Sequence, residues 1–352
     1  MHEAFLYRKS QSGKVVCTAC SHKCKIAPGQ SGICGVRLNK GGKLFLLVYG
    51  KASAVNIDPI EKKPLYHFLP GTRIFSLGTV GCNFRCSFCQ NWELSQATKE
   101  ARIRLLKESR QHLLAKELKK MGRELPPQKV LSLCKEHGIR SVAYTYNEPV
   151  IFFEYLYDIA KIAHKNGIKN VFVSNGYESR EAMKKIAPFL DGINIDLKSF
   201  SDDFYRTICG ARLEPVLKTI RQAHKLGIWT EITTLVITGK NDSPEELRSI
   251  AEFIASVDSS MPWHVTAFHP DYKMTDIAHT ASGLLGRAHE IGKNAGLDFV
   301  YVGNVADDDH SNTYCPGCRA LLIKRLGYSV EIRDLEKDCC KKCGKKIAGV
   351  WK

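Results

Sequence analysis

The 352-residue sequence has no apolar run approaching the length needed to cross a bilayer, and no apolar segment at its start that resembles a signal peptide. These absences argue against a membrane-embedded or secreted protein and set a cytoplasmic one, with no membrane partner, as the expectation. Acids are also scarce beside bases, 36 against 52, which leaves a formal net charge of +16. Nine of the bases fall between Lys99 and Arg123, Arg110 and Lys119 among them. A solvated helix face accounts for such a stretch; the partners it would otherwise attract are an anionic small molecule, an acidic protein or nucleic acid. The interleaving of aromatic and basic residues that a base-stacking platform needs is missing. Cysteine, by contrast, is abundant. Its fourteen copies cluster at the two ends and in one loop, which argues against a disulfide framework, and closely spaced thiols in a reducing compartment favour metal. The hydrophobic content of 44% suffices for a large core, hence one main domain with smaller modules attached.

Residues 1–70 form a first module that carries Cys17, Cys20, Cys24 and Cys34 and closes on KPLYHFLPG, where prolines and glycine punctuate a boundary. Over residues 71–304 short apolar strands such as RIFSLGTV, IRSVAYTY and IKNVFVSN alternate with amphipathic helices such as FFEYLYDIAKIAHKNG. SPEE carries a capping-box signature, with Ser243 as N-cap and Glu246 three residues on. Residues 305–352 form a cysteine-bearing tail. Repeated strand–helix units predict a parallel sheet with right-handed crossovers, and six or seven of them favour a barrel or partial barrel. Barrel chemistry gathers at the C-terminal ends of strands. The unusual residues fall there: Cys82, the Asn147-Glu148-Pro149 run, Ser174-Asn175-Gly176, Asp196 with Lys198, and His269.

Within GTVGCNFRCSFCQNW, Cys82, Cys86 and Cys89 follow C-x3-C-x2-C. Three thiolates leave one iron of a cubane cluster with an open position. A structural zinc would need a fourth donor of the same class, yet Cys134 lies in a helical pattern and Cys209 is distant in sequence. The first module's spacing, C-x2-C-x3-C-x9-C, suits zinc or a second iron–sulfur cluster. In the tail, Cys315 with Cys318 and Cys340 with Cys343 make two C-x2-C pairs. Zinc fits them, with rubredoxin-like iron as the rival. Cys339 introduces a register ambiguity; Cys340 preserves the spacing. Asp196 and Lys198 alternate across Leu197 and so share one side of a strand, where pairing reduces their desolvation cost. Glu231 and Thr233 stand in the same relation as weaker polar-lining candidates. His269, Tyr144, Tyr146, Tyr301 and Cys209 carry no assigned chemistry.

GCNFRCSFCQN resembles the cluster loop of the radical S-adenosylmethionine (SAM) superfamily. YHFLPG, YTYNEP, VSNGY, NIDLKSF, TLVITG and TYCPGC resemble, more narrowly, the proteins related to pyruvate formate-lyase activating enzyme, and especially the radical SAM protein of the AmmeMemoRadiSam system. The resemblance implies an α/β fold: a partial (β/α)6 TIM-like barrel with small N- and C-terminal cysteine-rich metal-binding modules. It implies a [4Fe-4S] cluster on Cys82, Cys86 and Cys89, whose fourth iron takes the amino and carboxylate groups of SAM. An external donor such as reduced flavodoxin or ferredoxin would supply an electron, the S–C5′ bond would break, and the 5′-deoxyadenosyl radical would abstract hydrogen from a substrate. Phe88 then matches the aromatic position on the adenine side. Glu148 corresponds to the acid of the family's Gly-Gly-Glu motif, kept here in Tyr146-Asn147-Glu148 without the glycines. Asn175 and Gly176, and the Asp-Leu-Lys of Asp196 and Lys198, correspond to further SAM contacts. The implied substrate is a glycine in a partner protein. A small molecule or nucleic acid is the alternative, and a non-catalytic, metal-stabilised interaction or nucleic-acid-binding protein is the non-enzyme one.

Overall fold

The alternation of strand and helix read from the sequence is the element order of the folded chain: a mixed α/β fold with the parallel strands of a partial barrel and small antiparallel sheets toward each end. A computed structural model describes residues 1–108, 113–118, 120–305 and 309–352. Arg110 and Lys119 of the basic stretch lie outside the described residues. No helix among them is long and apolar enough to cross a membrane. The chain divides into two compact units.

The first unit holds residues 1–58, 74–191 and 209–211. Its parallel strands Arg73–Gly78, Ser141–Tyr144 and Lys169–Ser174 pair in register, Ala143 opposite both Ser76 and Val171. Ser141–Tyr144 is buried at every position, as a strand covered on both faces must be. Helix Phe153–Lys165 buries Phe153, Leu156, Ile159, Ala160 and Ala163, the spacing of one helical face. Two small antiparallel sheets, Tyr7–Lys9/Val15–Cys17/Lys25–Ile26 and His2–Glu3/Lys43–Leu46/Arg37–Lys40, make up the N-terminal segment. Arg37 is buried there against Glu154, 2.7 Å away.

The second unit holds residues 59–73, 192–208 and 212–352. Strands Gly192–Asp196, Trp229–Val236, Trp263–Ala267 and Val300–Gly303 run parallel. The helix Pro244–Val257 starts as the capping signature predicts, Ser243 Oγ accepting from Glu246 N–H at 3.2 Å. The Glu246 carboxylate does not complete the box; it accepts from Ser199 and from Phe200 N–H instead. The tail folds as the antiparallel sheet Thr313–Tyr314/Leu321–Leu326/Ser329–Ile332, and its core joins Phe299 and Tyr301 to Cys315, Leu322, Cys340 and Ile347.

Glu231, a weak candidate for a polar lining, is instead a structural hub of this unit. It is fully buried and accepts from the N–H groups of Tyr66 and His67, from Trp229 Nε1 and from His264 Nε2, at 2.7–2.9 Å. Burial alone would raise its carboxyl, but the bond to His264 carries it below the usual value of 4.5. Removing one partner from a buried charged network costs about 3–5 kcal/mol, so Glu231→Ala should lower stability by that order in a denaturant titration. The depressed carboxyl also fixes a sign. Its contribution is complete above pH 4.5 and is lost as pH falls through the lower native value.

Candidate functional site

Strand Arg73–Gly78 leads into the three-cysteine loop, and two glycines set the path. A Cβ on Gly78 would lie 2.4 Å from the Thr145 carbonyl oxygen. Gly81 has φ of +94°, and its Cβ would lie 2.7 Å from the Cys34 carbonyl oxygen. Cys82 and Cys86 are buried and Cys89 half-buried. Phe84 N–H donates to Cys82 Sγ at 3.4 Å, and Cys89 Sγ lies 3.2 Å from Ser95 Oγ. Burial raises the Cys82 thiol well above its ordinary range, with the Lys99 ammonium opposing the rise.

Lys99 departs from the solvated-face reading of the basic stretch. Its ammonium donates to the Phe84 carbonyl inside the loop and to Gln96 Oε1 at 3.0 Å, while Gln96 Nε2 donates to Ser95 Oγ at 2.8 Å. One hydrogen-bonded chain thus runs from the start of helix Ala97–Lys107 to the loop and on to Cys89. Burial lowers the Lys99 ammonium, and the Cys82 and Cys86 thiols act against that.

The loop fits a cluster better than a single ion. A tetrahedral zinc, with Zn–S near 2.3 Å, holds its sulfurs about 3.8 Å apart. Among the described residues, only Cys315, Cys318, Cys340 and Cys343 bring their ligand atoms within 4.8 Å of one another as a group. Cys82, Cys86 and Cys89 are not among such groups, and three thiolates with no fourth would suit a cube of iron and sulfide that keeps one iron open. Beside Cys82, the buried Nδ2 of Asn83 has no hydrogen-bond partner among the described residues, which leaves a donor for a ligand at the loop.

The strand-end motifs of the first unit meet this loop. Asn175 Nδ2 donates to Asn83 Oδ1 at 2.8 Å and lies 3.9 Å from Cys82 Sγ. Gly176, at φ +72°, directs its N–H to Ser174 Oγ at 2.9 Å. Glu148 is fully buried and joins two strand ends, accepting from Val150 N–H at 3.2 Å, Asn175 N–H at 2.8 Å and the Ser174 hydroxyl. The same hydroxyl reaches Glu178 Oε1 at 2.5 Å. Burial and the neighbouring Glu178 push the Glu148 carboxyl well above its usual range, and burial raises Glu178 too. Two carboxyls held this close favour a proton or a cationic group beside them. Phe88 is buried. His22, between two cysteines of the first module, donates from Nε2 to the Asn83 carbonyl at 3.0 Å.

Other singled-out residues have ordinary partners. Tyr144 donates to Asn170 Oδ1 at 3.0 Å and Tyr146 to Asp58 Oδ2 at 2.7 Å. Tyr301 belongs to the tail's core, His269 is half-buried, and Cys209 is buried with its carbonyl accepting from Arg85 N–H. In the second unit Lys198 Nζ pairs with Asp196 Oδ2 at 2.7 Å, and Lys198 N–H donates to the Tyr205 hydroxyl at 3.0 Å. Four side chains escaped the sequence reading: His22, Asn83, Lys99 and Glu178. His22 and Glu178 carried local signals, one lying between Cys20 and Cys24 and the other directly after VSNGY.

Cys315 and Cys343 bring their sulfurs to 3.6 Å, as do Cys318 and Cys340. That spacing matches the roughly 3.8 Å of a tetrahedral thiolate site, so this quartet can hold one metal ion. Cys339 is not part of it; its thiol lies 3.5 Å from Asp338 Oδ1. The first module's Cys17, Cys20, Cys24 and Cys34 line one cavity.

The model of the radical SAM superfamily matches residues 76–254. An uncharacterized protein of Methanocaldococcus jannaschii is 40% identical over 350 residues, 99% of each chain. The pyruvate formate-lyase-activating enzyme of Clostridium pasteurianum is 23% identical over 211 residues, 56% of this chain and 80% of that one. Among solved structures, a radical SAM methyltransferase from Sphaerobacter thermophilus aligns at a TM-score of 0.49 and 15% identity, covering 67% of each chain.

Proposed function

This chain belongs to the radical SAM superfamily, and from that premise we propose that it is an activating-type enzyme whose hydrogen donor is a glycine in a partner protein. Membership removes the non-catalytic alternative. When bound, a reduced [4Fe-4S] cluster supplies one electron to SAM, whose S–C5′ bond breaks to give methionine and the 5′-deoxyadenosyl radical that takes a hydrogen atom from the substrate. Cys82, Cys86 and Cys89 hold that cluster in this reading, and Lys99 and Ser95 brace the loop around it.

The observation that carries the SAM assignment is the contact of Asn175 with both Asn83 and Cys82. Asn175 would stand beside a ligand that completes the open iron. Glu148 and Glu178 add a buried acidic pair suited to a cationic co-substrate. Gly176 allows close backbone approach, and Phe88 offers an aromatic face for adenine; by resemblance to the Asp-Leu-Lys of the activating enzymes, Asp196 and Lys198 are the proposed pair for the SAM carboxylate. The one-electron donor is a reduced flavodoxin or ferredoxin.

Support for a protein substrate comes from the activating-enzyme relative and from the Asp-Leu-Lys run. The motif string YHFLPG, VSNGY, TLVITG and TYCPGC supports the finer placement beside the AmmeMemoRadiSam radical SAM protein. The reconstituted, reduced enzyme should be mixed with SAM and candidate partner proteins and frozen for EPR. A persistent doublet from a glycyl radical in the partner, lost when that glycine is changed to alanine, is the expected result. Stoichiometric 5′-deoxyadenosine with deuterium taken only from a labelled small molecule or nucleic acid would overturn the protein substrate.

A further inference from the structure

We infer that Cys17, Cys20, Cys24 and Cys34 bind a second iron–sulfur cluster, not a zinc ion. The two four-cysteine sets of this chain differ in geometry. The C-terminal sulfurs converge, with two pairs at 3.6 Å and all four within 4.8 Å. That is the spacing one tetrahedral ion imposes. The N-terminal sulfurs do not converge in that way, although all four side chains line a single cavity. The rest of its wall includes Ile26, Ile33, Val150 and Ile151. Four thiols facing one apolar cavity, too far apart for one ion to bridge, call for an inorganic core that fills the space between them. A [4Fe-4S] unit has four iron corners, one for each thiolate.

The surroundings suit an anionic core. Arg37 also lines the cavity and is buried, with Nη2 on Glu154 Oε2 at 2.7 Å and Nε donating to the Ile151 carbonyl at 2.9 Å. A fixed cation beside a cluster that carries net negative charge offsets part of the cost of burying it. Three of the four cysteines are at most 9% exposed, so the core would be shielded from water.

The centre is also joined to the catalytic loop by backbone. Thr98 Oγ1 donates to the Cys34 carbonyl at 2.8 Å, the same oxygen that packs on Gly81, the residue before Cys82. His22 reaches the Asn83 carbonyl, and Ser21 N–H donates to the Tyr177 carbonyl at 2.9 Å. Filling the cavity therefore fixes the segments that carry Cys82 and Asn175.

The test counts sulfide, which zinc or rubredoxin-like iron does not bring. The full chain carrying Cys82→Ala, Cys86→Ala and Cys89→Ala is reconstituted anaerobically with iron and sulfide. About four acid-labile sulfides per chain should remain, with about four irons beyond any metal in the tail, and reduction should give an EPR signal from a cluster. A chain that keeps zinc and no sulfide, or that keeps neither, overturns the inference. Should the triple variant not fold, Cys17→Ser with Cys20→Ser in the otherwise natural chain supplies a second reading. Sulfide should then fall to half the natural chain's content, and an unchanged content overturns the inference. Neither count depends on SAM cleavage, so failure here and failure of the catalytic reading are separable.

Discussion

Cys86→Ala is expected to abolish 5′-deoxyadenosine formation while leaving the tail's metal in place. The variant has only Cys82 and Cys89 in the loop. Loss of outer partners at metal sites already costs about 10–100-fold in affinity or activity. Loss of a direct ligand should therefore lower turnover by more than about 100-fold. Iron should fall by the content of one cluster. Zinc or iron bound by Cys315, Cys318, Cys340 and Cys343 should be unchanged, as should the far-UV circular dichroism. Chromatography of the nucleoside product and metal analysis of the same sample check both halves. Full turnover with Cys86 absent would remove the loop from the chemistry.

Cys340→Ser should have the largest effect on folding. Structural zinc sites supply about 10–16 kcal/mol of apparent binding energy in small zinc modules, a quantity as large as the roughly 5–15 kcal/mol that holds a whole domain. Here Cys315 and Cys340 are themselves in the core with Leu322, Ile323 and Ile347. Losing the ion exposes that core, and the strands Thr313–Tyr314 and Leu321–Leu326 lose their anchor. One metal ion per chain should be lost, the apparent Tm should fall sharply, and limited proteolysis should cut within residues 313–352. Cys339→Ser is the control. Its thiol points to Asp338 and not to the quartet, so the change should stay within about 1 kcal/mol. Equal damage from the two variants would show that the quartet is not a metal site.

Much of this arrangement was legible because it is local. The tail's two C-x2-C pairs give by spacing the four thiols that converge in the fold, and strand–helix alternation places Glu148, Asn175 and Asp196 at or just beyond strand ends. Ser243 was readable for the same reason. Lys99 was not. In sequence it is the first member of a basic run, and nothing near it shows that its ammonium turns inward to the Phe84 carbonyl. Glu231 likewise alternates with Thr233 as a lining residue should, whereas its four donors come from residues 66, 67, 229 and 264. The stitching of His22 to Asn83 spans 61 residues. Such contacts depend on where the fold brings distant segments together, and periodicity holds no record of that. Nor do the neighbours of Glu148 in sequence show that it belongs to a buried pair with Glu178, both bonded to the Ser174 hydroxyl.

In the proposed function, SAM would complete an open iron at the Cys82–Cys89 loop. EPR of the anaerobically reconstituted, reduced protein with and without SAM, followed by product analysis of the same sample, tests this most directly. The result predicted is a reduced-cluster signal that SAM alters, with 5′-deoxyadenosine and methionine formed together and neither seen in Cys86→Ala. An intact, reducible cluster on this loop whose signal SAM leaves unchanged, and from which no 5′-deoxyadenosine appears, would contradict it.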